Sequence, residues 1–114
     1  MKKIAMLVAV FGFAAALSAS AAAAKDNWDT LCSKCHGADG KGQAKMGQKL
    51  GVKDLTDAKV QAAFTDEEAT KSIKEGRKNA DGNTTMKAFV VGADTPLTDD
   101  EVKALVTYVR GLKS

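Results

Sequence analysis

The stretch Cys32-Ser33-Lys34-Cys35-His36 contains both cysteines and the only histidine of this 114-residue chain. Two cysteines at this spacing lie on one side of a helical turn, and the imidazole that follows projects beside them. The count excludes a scaffold of several disulfides and any site drawing two histidines from this chain. Composition is otherwise that of one globular domain, with 27% charged and 45% hydrophobic residues and too short a chain for two independent cores.

Upstream of the motif, Lys2-Lys3, an apolar run over residues 4–17 and Ala22-Ala23-Ala24 before Lys25 form the three parts of a secretory signal peptide, residues 1–24. Cleavage there leaves a domain over residues 25–114. Residues 4–24 carry no charge and are just long enough to span a bilayer, so retention as an anchor is the alternative. The Ala and Ser of the second half make that a weak span, and no cysteine near the cleavage point offers a lipid anchor. Both routes deliver the domain outside the cytoplasmic membrane, and the expected location is a bacterial periplasm. Free thiols there are normally oxidised or occupied, so the two cysteines need a chemical role. Asn83-Thr84-Thr85 has the form of a glycosylation sequon and reads as chance.

Downstream, the last helix is the clearest. Thr98 and Glu101 form a capping box, Leu97 can staple to Val102, and Val102, Leu105, Val106 and Val109 make one apolar face before Gly111 stops the helix. A second box, Thr65 with Glu68, opens a helix carrying Ala69 and Ile73 and ending at Gly76. The first helix is expected from near Asp26 through Trp28 and Leu31 into the motif, breaking at Gly37. A short helical piece around residues 57–64 separates two stretches without periodicity, residues 37–54 and 77–97. Loops of that length are uncommon in a compact domain and usually functional. Beyond the leader the aromatic supply is only Trp28, Phe64, Phe89 and Tyr108. Few helices, long loops and few large side chains suggest that something other than protein fills the centre.

The spacing C-x-x-C-H is the attachment pattern of c-type haem: the two sulfurs form thioethers with the vinyl groups of one porphyrin, and the histidine ligates the iron. With this motif followed by Gly37, Asp39-Gly40-Lys41-Gly42, Asp54-Leu55-Thr56-Asp57, Ile73-Lys74-Glu75-Gly76, a loop with Met86 and a terminal helix with Tyr108-Val109-Arg110, the chain resembles the small soluble class I monohaem cytochromes c. The resemblance covers nearly all of residues 25–114. It implies an all-α cytochrome c fold of three to four helices with long loops around one covalently bound haem c, the first and last helices crossing. It also implies a one-electron carrier rather than an enzyme.

Iron carrying the imidazole of His36 takes a second protein ligand or keeps an open position, and this choice separates carriers from gas binders and peroxidases. Met86 matches the family's ligand position in the late loop. Met46, ten residues after His36, is the other methionine outside the leader. Open, water-bound and lysine-bound iron are the remaining alternatives. The polar setting of Met86, among Asn83, Thr84, Thr85 and Lys87, argues against gap-filling in a core. His/Met ligation raises the potential relative to two histidines. The chain departs from the family where Lys87 replaces the proline after the methionine and Lys53 the proline before Asp-Leu. Trp28 and Tyr108 take the family's paired aromatic positions, and Ala24 stands where a glycine is expected.

An open distal site, binding a small gas or peroxide as a sensor or enzyme, is the alternative function. A thiol-disulfide oxidoreductase usually places its motif at a helix start in a strand-rich fold, and zinc lacks a fourth ligand here. Seventeen basic and fourteen acidic residues give a formal charge of +3, or +1 without Lys2 and Lys3. No basic stripe with interleaved aromatics suggests nucleic acid. The expected partners are donor and acceptor redox proteins, with a membrane involved only through a retained leader and the chain a monomer. Lys34, Lys41, Lys45, Lys49 and Lys53 against Asp39 alone could steer an acidic partner, or simply form a solvated exterior.

Overall fold

Helix α1 begins earlier than its pattern predicts. In the computed structural model, which describes residues 21–114, residues 21–36 are helical without interruption. The alanines before Lys25 have the highest helix propensity and extend the helix backwards. Between Trp28 and Cys32 it widens into a π turn, closed by the Ser33 N–H donating to the Trp28 carbonyl, and Gly37 at φ 82° ends it after Ser33–His36. The leader expected over residues 1–24 lies outside the described residues except for 21–24, where Ala24 is buried.

Residues 37–54, expected to lack regular structure, contain α2, Lys45–Leu50, which Gly51 ends in the left-handed conformation at φ 72°. Helix α3, Ala58–Ala62, falls inside the predicted piece and is capped by the Asp57 carboxylate accepting from the Lys59 N–H. Helix α4, Asp66–Glu75, has both hydrogen bonds of the Thr65/Glu68 capping box and turns Ile73 inward. Strands β1, Arg77–Lys78, and β2, Thr84–Met86, then pair antiparallel with Arg77 opposite Met86. Among the described residues this hairpin is the one addition to an otherwise helical fold. It is held by a turn in which Asn79 Oδ1 accepts the N–H groups of Asp81 and Asn83, so strand periodicity never signals it. Helix α5, Asp99–Gly111, has the complete Thr98/Glu101 box, and Gly111 is its last residue rather than its stop.

The core lies where α1, α4 and α5 meet. Val102, Leu105, Val106 and Val109 are all buried, with Trp28, Ile73 and Phe89 packed among them. The first and last helices touch as expected: the Trp28 and Tyr108 rings are 5.4 Å apart, and Asn27 Nδ2 donates to Glu101 Oε2 at 3.3 Å. Gln61 is buried beside them, donating to the carbonyls of Leu55 (2.6 Å) and Val109 (2.8 Å). Arg110 donates to Gln61 Oε1 and the Gln61 carbonyl, to the Phe64 carbonyl and to Asp66, tying the α3–α4 connection to α5. Among the described residues no helix is long and apolar enough to cross a membrane.

Candidate functional site

The motif occupies the end of α1, and its surroundings come from backbone as much as from side chains. Helix α2 packs so closely on it that a Cβ on Gly47 would lie 1.8 Å from the Cys35 carbonyl oxygen, so only glycine lets the two backbones meet. After the motif the Gly42 N–H donates to the His36 carbonyl at 2.8 Å. A Cβ on Gly42 would meet the carbonyl oxygens of Val52 at 2.7 Å and Lys53 at 3.1 Å, which places the 52–53 backbone against this loop. On the other side the Trp28 ring lies 5.5 Å from the His36 ring, tilted by 36°, and its Nε1–H donates to the Gly37 carbonyl at 3.1 Å.

The electrostatics follow from burial. Desolvation pushes the imidazole of His36 below its ordinary value of 6.5, which keeps it neutral at physiological pH. Its Nδ1 is buried without a hydrogen-bond partner among the described residues. Cys32 and Cys35 are half-buried and not joined to each other. Burial first, and the neighbouring Cys35 second, push the Cys32 thiol up to about 11. A Cys32 thiol raised in this way suits a catalytic dithiol poorly, since such a nucleophile depends on a lowered pKa. Among the described residues no group of three or more His, Cys, Asp or Glu side chains is placed to hold a bare metal ion.

The structure separates the two candidate methionines. Met86, at the end of β2, is half-buried and packs against the same core as Cys32, whereas Met46 on α2 is 42% exposed. Lys87 extends its ammonium over the Phe89 ring at 5.3 Å. Two contacts of the site were not readable from residue spacing: the Gly47 approach and the Trp28 bond to Gly37. The run around Gly47 reads as loop, so no sequence signal marks the first.

The profile of the cytochrome c family matches residues 21–113. The chain belongs to the cytochrome c family. Among solved structures it is similar to KustC0563, a c-type cytochrome, with 36% identity and a TM-score of 0.64, covering 79% of this chain and 96% of that one. No curated protein matches it. The cofactor is haem c with its iron, covalently attached, and the protein is a haem-based electron carrier. This cytochrome has only two cysteines with which to attach it. Its residues fit that group: unbridged thiols and a neutral imidazole share one helix end, and the buried Nδ1 of His36 leaves its other nitrogen for a metal.

Proposed function

We propose that Cys32 and Cys35 form the two thioethers, that His36 and Met86 ligate the iron, and that the domain shuttles single electrons between redox proteins outside the cytoplasmic membrane. The observation that carries the reading is the half-buried His36, its Nδ1 enclosed, beside two unbridged thiols at the end of α1. Burial of Met86 against the core, with Met46 turned outward, supports Met86 as the second ligand. Haem supplies the one-electron couple. A thioether from Met86 favours the reduced form, and a fully ligated centre exchanges electrons without breaking a bond in any substrate. The leader at the start of the chain sends it across the membrane and is cut off upstream of the buried Ala24, leaving a periplasmic monomer. Lys34, Lys41, Lys45, Lys49 and Lys53 are all exposed and suit an acidic face on a partner.

Carbon monoxide added to the reduced protein tests the ligand set. The parent is expected to bind it slowly or weakly, and Met86→Ala readily, with a lowered reduction potential. Ready binding by the parent points to an open distal site and a gas- or peroxide-binding role. Unchanged behaviour in Met86→Ala moves the ligand to Met46 or another group.

A further inference from the structure

We propose that the C-terminal end of α4 is the seat that positions Met86, and that Gly76 is the positioning residue that lets the ligand's backbone reach it. The inference rests on the reading of Met86 as the second iron ligand. A proline after the methionine would stiffen this stretch, but Lys87 stands there, so the backbone must be held from outside. Before the ligand, β2 is held by β1. The register passes from Thr84 opposite Lys78 to Met86 opposite Arg77, leaving Thr85 as an extra residue that re-aims the side chain after it. After the ligand, the Phe89 N–H donates to the Ile73 carbonyl and the Val91 N–H to the Lys74 carbonyl, both at 2.9 Å. These are carbonyls that the last turn of a helix otherwise leaves without a partner.

Between these two holds the chain lies directly on Gly76. A Cβ there would stand 2.5 Å from the Met86 carbonyl oxygen, 2.8 Å from the Ala88 nitrogen and 3.0 Å from the Lys87 carbonyl carbon. All three are backbone atoms of the peptide groups that follow the ligand, so no side-chain rotation relieves the clash. Gly76 itself has φ 77° and ψ −175°, a region essentially reserved for glycine, and its N–H donates to the Ser72 carbonyl at 2.9 Å. The seat is anchored in the core through the buried Ile73. A side chain at position 76 would force the segment back by about half an ångström or more to restore ordinary contact at ~3.5 Å. That matches the tolerance of about 0.5 Å within which a binding constellation keeps its geometry. The three rotatable bonds of a methionine absorb part of the shift, so ligation weakens rather than disappears.

Gly76→Ala, Val91→Pro and Gly51→Ala, each as the haem-loaded full-length chain, are compared with the parent. Val91 is 62% exposed, so its replacement removes the bond to Lys74 with little loss of packing. Gly51, at the end of α2, has φ 72° and open space around a Cβ, so Gly51→Ala carries backbone strain without a clash. Three quantities are read on each sample: the iron–sulfur band of the oxidised form, the rate of carbon monoxide binding to the reduced form, and the urea midpoint. Gly76→Ala is expected to weaken the band and to speed carbon monoxide binding about tenfold or more. Val91→Pro moves both in the same direction by less. Gly51→Ala is expected to lower the midpoint while keeping the parental band and rate. Parental band and rate in either Gly76→Ala or Val91→Pro overturn the proposal, as does a Gly51→Ala moved as far as Gly76→Ala; Val91→Pro decides alone where Gly76→Ala yields no folded holoprotein. A parent that lacks the band overturns the reading of Met86 as ligand, and this inference with it.

Discussion

The cysteines and histidine announce their chemistry by spacing alone, because C-x-x-C-H makes sense only where two sulfurs and an imidazole face one group. Gly47 is different. It stands in a run that reads as a loop of glycines and lysines, and its meaning appears only when the Cys35 carbonyl is found where its side chain would be. Gly47→Ala must push α2 away from the motif, an overpacking cost of about 1–3 kcal/mol. Urea denaturation of the holoprotein is expected to show that loss, together with a lower yield of attached haem. A variant as stable as the parent would mean that α2 can shift without cost. Met86 is intermediate in legibility: the polar residues around it read as loop, and only the fold shows it half-buried against the same core that Cys32 packs on.

At the scale of elements, side-chain chemistry marks helix starts better than it marks helix shape. Both capping boxes were readable because Thr and Glu three residues apart satisfy each other's backbone donors wherever they occur. The π turn of α1, the short α2 and the β1–β2 hairpin were not, since none has enough residues to display a period. Thr98→Ala is expected to cost about 1 kcal/mol in chemical denaturation, the ordinary worth of an N-cap. Glu101 adds a pH signature. The Thr98 backbone N–H, then Asn27, hold its carboxyl below the ordinary 4.5, so the stability it confers is present above that value and lost as pH falls through the lowered one. Glu101→Gln should flatten that part of the acid limb of a stability-pH curve; an unchanged limb would assign acid loss to other groups.

For the whole molecule, the scarcity of large side chains is explained by the cofactor. Among the described residues the main cluster has seven buried apolar side chains, and the expectation of a non-protein centre came from composition rather than from any one residue. Processing is the feature on which sequence and fold pull apart. The small-residue rule permits a cut after Ala24, yet Ala24 is only 2% exposed, one turn before Trp28 in α1. A cut there removes a buried residue, and the fold favours one upstream. The intact mass of the exported protein is expected to exceed residues 25–114 plus one haem by at least one alanine; equality with that mass would place the cut after Ala24.

The most direct test of the ligand set is the optical spectrum of the oxidised full-length chain, produced with the haem-attachment machinery, beside Met86→Leu and Met46→Leu. The weak long-wavelength iron–sulfur band is expected in the parent and in Met46→Leu, and is expected to vanish in Met86→Leu. A band that survives in Met86→Leu, or is missing from the parent, would contradict His36/Met86 ligation.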